Sequence, residues 1–241
     1  FELVSGYRLQ RRHWIAVGAL LGVSLLANVV ALRNGAALLR YHGTVDRATL
    51  AALELQAPRV ERSRTLRSTL IYQLAGISDP TKSDLIYMTP SEYFDAADKF
   101  GSAAYPPAEI AMASEYARES ADRLLLQVLA VKAEAVPAGT TVGSGAGCTT
   151  LGPTAADSPP PSIEIPAGGL IVRASRADAQ LGIRRFAEVS TIVPFAVPPR
   201  SARALSIPGD RLPQPWRADI RSSTPVTACP AARSRPARKT R

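Results

Sequence analysis

The sequence predicts an α+β protein with one transmembrane helix near its start, a mainly helical region, and a small disulfide-closed β-sandwich-like domain. Three observations predict it. Trp14 to Leu32 carries no charged residue. From Arg33 to Glu134 the pattern is helical, with apolar residues recurring at spacings of three and four from Ile110 to Val131. Short alternating segments separated by Pro- and Gly-containing turns then run from Ile163 to Cys229.

The uncharged run is 19 residues long, about 28 Å at 1.5 Å per residue, which matches the hydrocarbon thickness of a bilayer. Gly18 and Gly22 form a small-xxx-small face suited to another membrane helix. Trp14 suits an interfacial anchor, with Tyr41 as a second one past the other end. A signal peptide would have a shorter apolar core followed by an Ala-x-Ala-like site, and Arg33 follows here instead. Arg8, Arg11 and Arg12 before the span argue for a cytoplasmic stub over residues 1–13, although Arg33, Arg40 and Arg47 follow it. The first residue is Phe1 and the only Met residues are Met88 and Met112, which predicts a piece of a longer reading frame.

Residues 33–135 read as helical and extracytoplasmic. Thr44 is a candidate cap for a helix over Val45–Gln56, and Pro58 separates it from a second helix running to about Ala75. Asp79-Pro80 marks a turn, and Leu85–Met88 reads as a short extended piece. Thr89-Pro90-Ser91-Glu92 has the chemistry of a helix start, with a Thr cap, Pro in the first turn and Glu at the third position. That helix ends near Gly101. Pro107 opens the longest soluble helix, to about Lys132. Its stripe is Ile110, Ala113, Ala117, Ala121, Leu124, Val128 and Val131; Asp122 lies mostly off it, and Glu119–Arg123 forms an i,i+4 pair.

Residues 136–162, rich in Gly, Thr, Ser and Pro, read as a linker. The β-rich domain covers 163–229, with candidate strands at Ile163–Ile165, Gly169–Ala174, Gln180–Phe186, Ala204–Ile207, Trp216–Arg221 and Val226–Cys229. Residues 230–241 form a basic tail too polar to bury a core.

Cys148 and Cys229 bracket the β-rich block. They are too far apart for a redox C-x-x-C and lack His partners, so they read either as a disulfide or as two separate buried thiols. Pairing at the edges of one composition block favours export, and with it an extracytoplasmic location for the bulk of the chain at the cell membrane.

Chemistry-bearing motifs are few. Two His and two Cys exclude a four-ligand zinc module of the usual spacing, and no metal site or cofactor is expected. Neither Asn28 nor Asn34 begins a glycosylation sequon. No G-x-x-x-x-G-K-[ST], H-E-x-x-H or G-x-S-x-G occurs, and Gly143–Gly147 precedes a Pro-rich loop rather than a helix. The carboxylate pairs Asp79/Asp84 and Asp95/Asp98 read as solvated, so no catalytic residue is assigned.

Two sets of candidate binding residues remain. Arg59, Arg62 and Arg67, with Arg64 among them, would suit lipid phosphate or a lipid-linked sugar donor, or else form a solvated face beside Glu61. Trp216 would suit an exposed sugar platform, or else belongs in a core.

The net charge of +9 does not point to nucleic acid. Residues 1–12 carry +2 and residues 233–241 carry +5, so the excess sits at the two ends of a nearly neutral body. Anionic lipid or wall polymer fits such ends better than a duplex.

Four segments together resemble the C-terminal extracytoplasmic region of large polytopic membrane proteins of actinobacteria. They are Thr89-Pro90 through Asp98 and Gly101, and the Ser120–Val131 helix. The others are Ala167–Arg173 with Arg184–Ala187, and Pro215-Trp216-Arg217 leading to Pro225–Cys229. Those proteins are described as GT-C-type glycosyltransferases or as uncharacterised membrane proteins of envelope-glycan synthesis. The resemblance implies that Trp14–Leu32 is the last membrane helix of such a parent, with other membrane helices beside it. Its catalytic carboxylate would lie upstream, leaving this region as a noncatalytic module that supports or binds the glycan acceptor. The alternatives are a single-pass scaffold and a membrane-anchored carbohydrate-binding protein.

Overall fold

The computed structural model describes residues 11–79, 81, 83–137, 147–155, 157–188, 190, 195–208 and 214–231. Residues 1–10 of the expected cytoplasmic stub, the Gly143–Ala146 stretch and the expected basic tail from residue 232 lie outside the described residues. The chain divides into two compact units, Phe1–Gly43 and Thr44–Arg241.

The first unit is the leading part of α1 (Arg11–Leu55). Its described apolar side chains, from Trp14 to Tyr41, are exposed, with Leu20 and Leu32 each 74% exposed and Trp14 62%. The best apolar window has a mean hydropathy of 2.4 and none of it is buried, which is the opposite of a soluble core helix.

The helix does not restart at Thr44. A single Gly in a helix interior costs only about 1 kcal/mol, so Gly43 does not stop α1, which continues to Leu55. Pro58 does stop it. Proline lacks the amide hydrogen and clashes with the carbonyl four residues earlier, and the chain re-forms as α2 (Ala57–Arg62) with Pro in its first turn.

Where the periodicity predicts one further helix to Ala75, three short ones form: α2, α3 (Arg64–Ser68) and α4 (Ile71–Leu74). Hydroxyl side chains are the cause. Ser63 is extended and its Oγ accepts from the Leu66 amide at 3.3 Å, while Ser68 and Thr69 donate back to the carbonyls of Arg64 and Thr65. Leu85–Met88 is a turn rather than a strand, closed by Met88 N–H donating to the Leu85 carbonyl at 3.2 Å. The preceding loop is fastened to α1, since Asp46 accepts from the Ser83 hydroxyl at 2.7 Å and the Asp84 amide at 3.0 Å.

α5 (Pro90–Phe100) starts and stops as its sequence dictates. Thr89 and Glu92 form a reciprocal capping box, and Gly101 closes the helix at φ 89°. The amide and hydroxyl of Thr89 hold the Glu92 carboxyl below its ordinary range. Tyr93 is buried and its hydroxyl donates to Glu54 on α1.

The expected long helix is divided into α6 (Pro107–Ile110) and α7 (Glu115–Leu129). Ser114 interposes a cap, its side chain accepting from the Ala117 amide. The stripe still forms, with Ile110, Ala117, Ala121 and Leu124 fully buried and Val128 nearly so. Arg123 meets Glu119 at 3.2 Å. The helix ends with Ala130 in the left-handed region at φ 50°.

Nine strands make two antiparallel sheets among the described residues. They are β1 (Lys132–Ala135), β2 (Thr149–Leu151), β3 (Ser162–Glu164), β4 (Leu170–Ala174), β5 (Ala179–Arg184), β6 (Phe195–Val197), β7 (Ala202–Ser206), β8 (Arg217–Ser222) and β9 (Val226–Pro230). One sheet has the order β1-β7-β4-β9-β2 and the other β3-β8-β5-β6. All six candidate strands form, as β3, β4, β5, β7, β8 and β9. β1 and β2 lie in segments read as helix end and linker.

The two cysteines are bonded, with an S–S distance of 2.13 Å. The ladder explains the pairing: Thr149 faces Ala228, so the next antiparallel step places Cys148 opposite Cys229. Gly169 sits at φ 98°, and a Cβ there would stand 2.5 Å from the Leu205 carbonyl oxygen.

Candidate functional site

Two buried carboxylates organise the β-domain and its junction with α7. Asp122 is 2% exposed. Its oxygens accept the amides of Arg185 at 2.9 Å, Phe186 at 3.0 Å and Ala187 at 3.0 Å, in the loop leaving β5. Burial pushes its carboxyl up to about 6, and the three amides and Arg185 pull the other way without cancelling it. Glu115, on the same helix, accepts the next amide, that of Glu188, at 2.8 Å. Arg118 closes the edge on Glu188 at 2.9 Å.

Inside the four-stranded sheet, Arg184 grips Asp219 with Nε at 3.0 and 2.9 Å from the two carboxylate oxygens. Asp219 also accepts the Ser190 amide at 2.8 Å. Arg184 also donates from Nη1 to the Ala187 carbonyl and from Nη2 to the Ser162 hydroxyl. With its charges matched and each guanidinium nitrogen engaged, this pair is a structural clamp rather than a reactive group.

A different arrangement lies on the outer side of β5 and β8. Gln180 and Arg221 face each other across the ladder, and both are exposed. The chain leaving β2 runs beside β8, where the Thr154 amide donates to the Ser222 carbonyl at 2.8 Å and its hydroxyl to Ile220. Together with Asp178 and Ser223 these residues line a cleft of about 290 Å³. Among the described residues no ion pair engages Arg221 or Asp178. The cleft therefore offers a free guanidinium, a carboxylate, an amide and hydroxyls within one concavity. That mixture of donors and acceptors suits a polyhydroxylated ligand.

The residues singled out from sequence fall elsewhere. Trp216 is 7% exposed, and the Arg185 guanidinium carbon lies 5.2 Å above its ring. Its face is thus covered by a cation–π contact rather than presented as a platform. Arg62 and Arg67 are exposed and Arg59 half-buried, on α2 and α3. Arg62 turns back on its own helix, with Nε donating to the Pro58 carbonyl at 2.7 Å. None of them lines the cleft. Cys148 and Cys229 close the domain as a disulfide. Among the described residues no three His, Cys, Asp or Glu side chains gather in a way that could hold a metal ion.

The cleft residues escape a sequence reading because they are distant in the chain. Gln180 and Arg221 each occupy the polar position of an alternating strand, which marks them as outward-facing. What brings them together is the β5–β8 pairing, which no local pattern encodes. Comparison with known proteins finds no matching family model, no matching curated protein and no matching solved structure.

Proposed function

We propose that the chain is a membrane-anchored, noncatalytic module on the outer side of the cell membrane that binds envelope glycan. In this reading α1 crosses the bilayer once through Trp14–Leu32, and the unit from Thr44 onward is extracytoplasmic. The observation that carries the anchoring is the apolar surface of α1, none of which is buried over its best window. The bonded Cys148–Cys229 pair supports an oxidising compartment. Inward residues of both sheets, among them Leu170, Val172, Leu181, Ile183 and Ile220, enter one core, which supports a β-sandwich arrangement.

The glycan-binding part of the proposal rests on the cleft of Thr154, Asp178, Gln180 and Arg221. It moves ligand binding away from Trp216, whose ring is covered. Through the sequence resemblance, the module belongs to a glycosyltransferase-like protein of envelope-glycan synthesis. Its task there is to hold the growing acceptor near a catalytic centre contributed by other segments.

The test is titration of the full chain in lipid nanodiscs with a panel of cell-envelope oligosaccharides. Saturable binding is expected, weakened about tenfold or more by Arg221→Ala with Gln180→Ala, a loss of about 1.4 kcal/mol. Trp216→Phe should leave affinity unchanged. Absence of saturable binding across the panel, or affinity unaffected by the cleft variants, rejects the glycan reading.

A further inference from the structure

The cleft beside β8 holds two opposite charges that do not meet. Asp178 and Arg221 both line it, and both are exposed. The ladder pairs Ala179 with Ser222 and Gln180 with Arg221, so the next antiparallel step sets Asp178 opposite Ser223. Buried Ala179 and Leu181 alternate with exposed Asp178 and Gln180, which puts the two polar residues on one face of the strand. Asp178 and Arg221 are then diagonal neighbours, about 7–8 Å apart across the sheet, a gap that long side chains can span. Among the described residues they nevertheless form no ion pair with each other or with a third group, and neither side chain makes a hydrogen bond.

The backbone that carries them is fixed by other groups. Ser222 Oγ donates to the Asp178 carbonyl at 3.0 Å, which ties the start of β5 to the end of β8. Farther out, the Ala177 amide donates to Thr224 Oγ1 at 3.2 Å, and Ser175 Oγ to the Pro225 carbonyl at 2.7 Å. The turn before β5 is thereby stitched to the turn after β8. None of these bonds uses the Asp178 carboxylate, the Arg221 guanidinium, the Gln180 carboxamide or the Ser223 hydroxyl. Four polar side chains thus line the cleft on a fastened backbone with their own hydrogen-bonding capacity unused.

A neutral ligand covering this floor would strip water from both charges and return a counter-charge to neither. A ligand of one sign would satisfy one group and oppose the other. We propose that the glycan held in the cleft carries a zwitterionic amino-acid substituent, its carboxylate on Arg221 and its ammonium on Asp178. A guanidinium takes a carboxylate through two parallel N–H donors, and the Asp178 oxygens accept from the ammonium. Gln180 stands opposite Arg221 and two residues from Asp178. Its carboxamide and the Ser223 hydroxyl each donate and accept, which serves sugar hydroxyls or the amide that links the substituent. This inference rests on the cleft being the glycan site and names the class of glycan it takes.

The experiment is titration of the full chain in lipid nanodiscs with N-acetylmuramyl-Ala-isoGln-Lys, whose terminal lysine supplies one ammonium and one carboxylate. Two derivatives remove one charge each, by acetylation of the lysine amine or amidation of its carboxylate, and an N-acetylglucosamine oligomer is the neutral glycan. The unmodified protein is expected to bind the lysine compound about tenfold tighter than either derivative. Arg221→Gln should abolish the effect of amidation and keep that of acetylation, and Asp178→Asn should do the reverse. Both positions are exposed and their side chains fasten nothing, so the fold is retained in each variant. Equal affinity for all four compounds, weakened throughout by Arg221→Ala with Gln180→Ala, overturns this inference and leaves the glycan reading standing. Charge effects that persist unchanged in Arg221→Gln and Asp178→Asn overturn it as well, because the charges are then read elsewhere. Absence of saturable binding by these compounds and by the envelope oligosaccharides overturns both.

Discussion

Asp122 is held by three amides and is nevertheless shifted up to about 6, because burial outweighs them. The sign of its contribution follows. Below 3.8 the carboxyl is protonated in both the folded and the unfolded chain. Between 3.8 and about 6 the unfolded chain ionises first, so stability from this group falls as pH rises. Above about 6 the loss is complete, at about 3 kcal/mol. Asp122→Asn does not titrate and provides the reference. Urea unfolding of the detergent-solubilised full chain, followed by tryptophan fluorescence, should show the advantage of Asp over Asn shrinking by that amount from pH 3.5 to 7. An advantage that is flat or that widens would sink the assignment. Sequence patterning registers Asp122 only as a polar residue mostly off the apolar stripe of α7. Its burial depends on the Arg185–Ala187 loop more than sixty positions away, so nothing local announces it. The candidate Trp216 shows the converse, since Arg185, which covers its ring, is remote in sequence but adjacent in space.

At the scale of elements, two of the backbone positions with positive φ, Gly169 and Ala130, adopt it with opposite consequences. Gly169 needs its missing Cβ twice over, for φ 98° and for the approach to the Leu205 carbonyl. Gly169→Ala should lower stability by about 2–4 kcal/mol. Ala130 ends α7 at φ 50° where glycine would be unstrained. Ala130→Gly should raise stability by about 0.5–1 kcal/mol. Equilibrium denaturation of the two variants checks both signs, and a destabilising Ala130→Gly would count against the strained cap. The strands most legible in sequence are runs of β-branched or apolar residues bounded by turns, as in Leu170–Ala174 and Val226–Pro230. β1 is Lys-Ala-Glu-Ala, a helix-forming composition, and it becomes a strand because β7 offers a ladder to pair with. β2 has only three residues and β6 likewise. Such segments carry too little pattern to outweigh a Gly- and Pro-rich setting. The division of the helical region follows hydroxyl caps at Ser63 and Ser114, which compete with apolar periodicity rather than showing in it.

At the scale of the whole molecule, the cystine spans 81 positions, and the chain-entropy treatment gives a loop of that size up to about 4–5 kcal/mol. Cys148→Ser with Cys229→Ser should lower the urea midpoint of the full chain accordingly, and reductant should do the same to the unmodified protein. Equal midpoints in all forms would show that the ladder between β2 and β9 suffices without the bond. The strand order β1-β7-β4-β9-β2 has a further consequence for how the chain is made. Both outer strands come from the early part of the domain, whereas β9, which seats between β4 and β2, comes last. In the export that the proposed function entails, β2 and Cys148 would cross the membrane about eighty residues before the strand and thiol they need. Until Val226–Pro230 arrives, β4 has an open edge and Cys148 is a free thiol. The final strand thus completes the sheet and supplies the bonding partner in one event, so assembly of the five-stranded sheet is timed by its last-delivered residues.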